Sequence, residues 1–272
     1  MQSLIATLTA LCALLITLTS AQTFTSCNPL NRTDCPVDPA LSTNTTLNLT
    51  SGNFPTALWN TTAGVVSQDY NGAHFVVNQR GDSPTIKSQF YIMFGTVSVI
   101  MKAAKGVGVI SSIVLESDDL DEVDWEFLGG NSTTVQTNYF GKGDNTTYDR
   151  MKAEDVSDPQ DSFHNYTTVW NAQQLEWWID GSLKRTLKYE DAKNGTRYPQ
   201  TPMTVKLGIW VAGDASTGNS NGTIEWAGGV TDYKQGPFTM TVQSVYVKDD
   251  GNGKEYQYGD TSGNWQSIKT VA

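Results

Sequence analysis

Asp121-Glu122-Val123-Asp124-Trp125-Glu126-Phe127-Leu128-Gly129 alternates acidic with apolar residues. That period of two decides how the rest of the chain is read. Successive side chains of a strand point to opposite faces. Glu122, Asp124 and Glu126 therefore share one face, and Val123, Trp125 and Phe127 share the other, turned towards a core. Outward from this segment, short runs rich in β-branched and aromatic residues recur between Gly, Asp and Asn turns. Before it they cover residues 74–78, 85–93, 95–103 and 108–115. After it they cover 134–140, 164–170, 175–179, 182–187, 205–211 and 238–247. Asp180-Gly181 between Trp177-Trp178-Ile179 and Ser182-Leu183 is a two-residue hairpin signal. No long amphipathic helix and no internal repeat is evident. The pattern predicts an all-β sandwich of two antiparallel sheets.

A chain of 272 residues, 38% hydrophobic, is long enough for one such domain. Its net charge of −10 argues against nucleic acid and anionic membrane surfaces, which need clustered Lys and Arg. A neutral polymer needs no complementary charge. The apolar run from Leu4 to Leu18, closed by Thr19-Ser20-Ala21, reads as a signal peptide over 1–21, leaving a single domain over 22–272. No later stretch is long and apolar enough for a membrane span. Cys12 falls in the signal, so Cys27 and Cys35 are expected to form a disulfide in an oxidising compartment, pinning a lead-in over 22–45. Nine Asn-x-Ser/Thr triplets begin at Asn31, Asn44, Asn48, Asn60, Asn131, Asn145, Asn165, Asn194 and Asn221, as suits a secreted glycoprotein. No hydrophobic tail of the lipid-anchor kind is read at the C-terminus. No phosphate-loop pattern appears, and His74 and His164 lack metal-site spacing with the cysteines. Neither metal nor cofactor is expected.

Three acids on one strand face repel one another, which a plain surface strand has no reason to accept. A solvated face or a calcium site would also place acids so. Glycoside cleavage gives the pattern a chemical purpose: one carboxylic acid protonates the leaving oxygen while a second carboxylate attacks or activates water. In a retaining enzyme those two groups stand about 5–5.5 Å apart. Positions i and i+4 of a strand are roughly 13 Å apart at a rise of about 3.3 Å per residue. The side chains must therefore lean together, as a bent sheet allows.

At this point the sequence resembles glycoside hydrolase family 16, whose Glu-x-Asp-x-Glu strand is matched by Glu122-Val123-Asp124-Trp125-Glu126. The wider match is to fungal Crh-type cell-wall transglycosylases. It includes Cys27 and Cys35, Gln89-Phe90-Tyr91-Ile92, Asn138-Tyr139-Phe140-Gly141-Lys142-Gly143 and Phe163-His164-Asn165-Tyr166-Thr167. It continues through Ile209-Trp210 and Gly222-Thr223-Ile224-Glu225-Trp226-Ala227-Gly228-Gly229. The resemblance implies a β-jelly-roll with a concave substrate groove. It implies Glu122 as nucleophile, Glu126 as general acid/base and Asp124 as the carboxylate that assists the nucleophile. It implies a retaining enzyme at the cell wall that takes chitin as donor and passes it to chitin or β-glucan. Gln136, Asn138, Tyr139, Phe140, Trp210 and Trp226 are the candidate sugar-binding residues. His164 is placed either near the site or in a structural role. A monomer is expected. The competing expectations are a β-glucan hydrolase and a non-catalytic glycan-binding module of the same fold.

Overall fold

The computed structural model describes residues 25–52, 54 and 56–272; the expected signal peptide and Cys12 lie outside them. In chain order the strands are β1 (Asp38–Pro39), β2 (Asn44–Asn48), β3 (Trp59–Ala63), β4 (Val66–Asp69), β5 (Gly72–Val77) and β6 (Thr85–Ser88). They continue as β7 (Gly95–Lys102), β8 (Val109–Ser117), β9 (Glu122–Leu128), β10 (Thr134–Phe140), β11 (Lys152–Asp155) and β12 (His164–Trp170). Last come β13 (Gln174–Ile179), β14 (Ser182–Lys188), β15 (Met203–Val211), β16 (Phe238–Asp249), β17 (Glu255–Tyr258) and β18 (Ile268–Val271). The one α-helix among the described residues, α1 (Asn221–Trp226), lies between β15 and β16.

Two large antiparallel sheets form the sandwich of a jelly roll. One runs β11-β10-β9-β8-β15-β6-β3; the other runs β14-β13-β12-β7-β16-β5-β4, with β2 added beside β16. Their inner faces enclose the main core. β9 shows why the layers meet as they do. Val123, Trp125 and Phe127 are at most 2% exposed. Trp125 and Phe127 meet the ring of Tyr166 on β12 edge-on at 5.5 and 4.7 Å. The Trp125 indole N–H donates to Thr168 Oγ1 at 3.0 Å. Burying each such side chain contributes about 2–3 kcal/mol. A slip of one residue would drive the three acids into that core, so the burial also fixes the register.

Several predicted boundaries change. The run over 85–93 leaves its sheet after Ser88; Ile92 makes only an isolated bridge to Met203. Phe94 and Gly95 then turn the chain at φ 64° and 126°. The lead-in over 22–45 is not wholly irregular: β1 pairs with β17, and β2 begins at Asn44 against Lys248. A three-stranded sheet, β1-β17-β18, joins the two ends of the described chain. Cys27 and Cys35 are bonded as expected, with Cα atoms 5.6 Å apart. No helix of the described residues is long and apolar enough to cross a membrane.

Candidate active site

The entry to β9 is held by its own turn. Leu120 sits at φ 65° between β8 and β9. The Ser117 amide donates to the Asp121 carbonyl at 3.0 Å, and the Asp121 amide donates to Ser117 Oγ at 2.8 Å. The Asp121 carboxylate is fully buried and accepts the amides of Lys142 at 2.8 Å, Gln200 at 2.7 Å and Thr201 at 3.1 Å. Two separate segments, at Lys142 and at Gln200–Thr201, are thus tied to the residue before Glu122. Burial and the neighbouring Asp119 push the Asp121 pKa up, and the amides of Gln200 and Lys142 and the Thr201 hydroxyl pull against that.

Register then sets the open face of the seven-stranded sheet. Glu122 lies between Phe140 of β10 and Glu116 of β8. Asp124 lies between Asn138 and Val114. Glu126 lies between Gln136 and Ser112, and Gly208 follows Ser112 in the same row, so no side chain stands there. Glu122 and Glu126 are half-buried, and Asp124 is 3% exposed. The expected alternation holds: the three acids share this face.

Above Glu126 the face is closed by aromatic groups. Trp210 on β15 and Trp226 on α1 stack with ring centres 6.2 Å apart and planes 26° from parallel. The Trp226 indole N–H donates to Gln136 Oε1 at 2.8 Å. Ile110, Ala212 and Ala227 are buried beneath the pair as a small second core. Ser220 caps α1 by accepting the Thr223 amide at 3.1 Å. Below Glu122, Phe140 packs under the Arg150 guanidinium, 4.6 Å from the ring centre.

Burial and mutual repulsion raise all three carboxyl pKa values. Glu122 is pushed well above its ordinary value, first by burial, then by the charge of Asp124, their shared hydrogen bond and Glu126. Asp124 is raised by burial to about 7, with the bond to Glu122 working the other way. Glu126 is raised by burial and by Asp124 to about 8. A hydrogen bond between two carboxyls requires a proton, so Glu122 and Asp124 together carry one charge near neutral pH. The site offers a carboxylic acid at Glu126 and one shared negative charge at Glu122 and Asp124, the set that displacement at an acetal carbon requires.

One candidate is misplaced. Tyr139 pairs with Val123, so its side chain enters the core, where it is 6% exposed and lies under Arg185 at 5.5 Å. It lines no groove. Gln136, Asn138, Phe140, Trp210 and Trp226 do lie on or beside the acidic face. His164 belongs to the other sheet, where its ring pairs with Asp180 at 2.7 Å in the β13–β14 turn, a structural position. Sequence reading passed over Glu116 and Lys206, which form an ion pair on the open face beside Glu122. β8 is buried along its whole length, and a fully buried strand shows no period that would single out Glu116.

Comparison with known proteins agrees with this geometry. The family described as glycosyl hydrolases family 16 matches residues 53–228. Crh-like protein 2 of Botryotinia fuckeliana is 58% identical over 253 residues, which are 93% of this chain and 56% of that protein. Crh-like protein 5 of Aspergillus fumigatus is 55% identical over 258 residues, 94% of this chain and 64% of that protein. The chain therefore spans less than two thirds of the length of these two relatives. A solved structure described as Crh5 transglycosylase in complex with NAG is 55% identical, covers 90% of this chain and 99% of its own, and superposes with a TM-score of 0.86.

Proposed function

The chain belongs to glycosyl hydrolase family 16, and from that premise we propose that it is a retaining cell-wall transglycosylase, secreted as a single domain over 22–272. In this reading it cleaves chitin and passes the freed chain to chitin or β-glucan. The observation that carries the reading is the row of Glu122, Asp124 and Glu126 on one strand face, with their pKa values raised by burial and by one another.

Glu126, protonated, gives its proton to the glycosidic oxygen while a carboxylate oxygen of Glu122 attacks the anomeric carbon. The carbon–oxygen bond breaks, the leaving chain takes the proton, and the donor sugar is left esterified to Glu122. The pair's proton, held by Glu122 in the resting protein, moves to Asp124 as the sugar binds, so that Glu122 presents its charge to the anomeric carbon. Glu126, now a carboxylate, removes the proton from an incoming hydroxyl, which attacks the same carbon and releases Glu122. Two inversions preserve the anomeric configuration. Transfer wins over hydrolysis when a sugar held on the open face attacks at high effective concentration. Trp210 and Trp226, with Gln136, Asn138 and Phe140, are the contacts in this reading; the similarity to a transglycosylase crystallised with NAG supports an N-acetylated donor.

The test mixes the protein with a chitin oligosaccharide and a fluorescent β-1,3-glucan oligosaccharide and reads products by mass. Labelled hybrids that vanish in Glu122→Gln are expected. Shortened donor without hybrids would replace transfer by hydrolysis, and binding without cleavage would leave a glycan-binding module.

A further inference from the structure

The open face carries a second charged pair that the reaction above does not use. Glu116 of β8 stands directly opposite Glu122 on the same face and is buried. Lys206 of β15, diagonal to Glu116, holds an ion pair with its carboxylate. Lys206 also shares a straight cross-strand row with Asp124, with only Val114 between them.

Folding gives no reason for this pair. Two buried charges lose their water, and an apolar pair of similar size would serve the strands as well or better. Val114, two residues from Glu116 on the same face, is buried and apolar, so that face accepts such side chains. Lys206 also stands directly opposite Lys87, a like-charge contact that costs stability. For the chemistry, Glu116 alone would be harmful. Directly opposite side chains have Cβ atoms roughly 5 Å apart. Its charge would repel that of Glu122 and tighten the hold of Glu122 and Asp124 on their protons. A nucleophile needs the reverse.

The other charges around Glu122 are occupied or belong to the reaction. Asp124 and Glu126 share its strand. In the turn before it, Asp118 accepts the Tyr91 hydroxyl, and Asp119 and Asp121 accept the Thr201 hydroxyl. Beyond β10, the Arg150 guanidinium lies over the Phe140 ring. Lys206 is the counter-charge in contact with Glu116. Burial and Lys87 bring the Lys206 pKa down to about 7, so it keeps its charge in the acid range where Glu122 and Asp124 take up a second proton. We propose that Lys206 and Glu116 are positioning residues for the nucleophile: Lys206 draws the Glu116 carboxylate aside and cancels its charge, so that Glu122 and Asp124 keep a single proton between them. The inference rests on the transglycosylase reading above. Both residues act through Glu122 rather than on the sugar.

The test follows kcat/KM against pH by the fluoride released from a chitin-oligosaccharyl fluoride, a donor that needs no proton from Glu126. Its acid limb marks the second proton on Glu122 and Asp124. In Lys206→Met the charge of Glu116 is left uncancelled, and the limb should move up by about one pH unit. In Glu116→Gln, which keeps the shape of the side chain and an acceptor for Lys206, the limb should move down by about as much. Lys206→Arg, which keeps the charge, should leave the limb in place. Glu116→Gln combined with Lys206→Met should return it close to the wild-type position. Circular dichroism checks that each variant is folded; should Lys206→Met not fold, Glu116→Gln decides alone. A limb that stays in place in Glu116→Gln, or that moves the same way in both single variants, overturns the inference and leaves the pair a structural one. A folded wild-type protein that releases no fluoride would instead remove the transglycosylase reading, and the inference with it.

Discussion

At the scale of the residue, the reading turns on parity. Because β9 alternates from Glu122 to Leu128 without interruption, the common face of the three acids was legible in the sequence. The same parity excludes Tyr139: it is two residues from Thr137 and must share that residue's core face, whatever the appeal of an aromatic side chain near a sugar site. Titration is the testable consequence. In the proposed mechanism Glu126, raised to about 8, acts first as an acid, so activity should be lost as pH rises through about 8. It is also lost on the acid side, once the Glu122–Asp124 pair takes up a second proton. Rate profiles on a donor with a fluoride leaving group, which needs no protonation, should keep the acid limb and lose or shift the alkaline one. An unchanged alkaline limb would mean that another group supplies the proton. Glu122→Gln should also be more stable than the wild-type protein at pH 8, by about 1 kcal/mol per unit of pKa elevation removed. A lower melting temperature than wild type would show that the acids hold the strand together rather than strain it.

At the scale of the element, a strand works here only if its ends are fixed. Asp121 anchors the start of β9 to the segments at Lys142 and at Gln200 and Thr201. Asp121→Ala leaves the buried amides of Gln200 and Thr201 and the half-buried amide of Lys142 without acceptors and should cost about 3 kcal/mol or more, read by denaturant unfolding. A loss below about 1 kcal/mol would show that water replaces the carboxylate. α1 is one of the elements that sequence reading missed. Six residues in a loop rich in Gly, Ser and Asn carry no helical period, and only the Ser220 cap marks its start. The helix nevertheless sets Trp226 against Trp210. Trp226→Ala removes both the stack and the bond to Gln136 and should raise KM about tenfold, the equivalent of roughly 1.4 kcal/mol, with Trp226→Phe in between. A fall in kcat at constant KM would instead tie Trp226 to the position of Glu126 through Gln136.

At the scale of the whole molecule, the sandwich was legible because its central strands are long and apolar on the core side. Its margins were not. β2, β4 and β11 are short and largely polar, with sequences such as Val66-Ser67-Gln68-Asp69 and Lys152-Ala153-Glu154-Asp155, and they are strands only because a longer neighbour pairs with them. The charge balance also acts globally. Burial and neighbouring acids push Asp38 up to about 8, alongside the raised Asp118, Asp119, Asp124 and Glu126. A carboxyl with a raised folded-state pKa binds its proton more tightly folded than unfolded. It therefore stabilises the fold below its unfolded pKa near 4, and that contribution is lost as pH rises towards 8. The melting temperature should be several degrees higher at pH 5 than at pH 8; a higher value at pH 8 would mean these acids are ionised and paired.

The most direct test of the central claim is to trap the sugar on the strand. Glu126→Gln can still be glycosylated by an oligosaccharyl fluoride, which needs no acid, but lacks the base that releases the product. Peptide mass mapping should find one oligosaccharide attached at Glu122. Attachment elsewhere, or full turnover with no attachment at all, would contradict the account of Glu122 as nucleophile and Glu126 as acid and base.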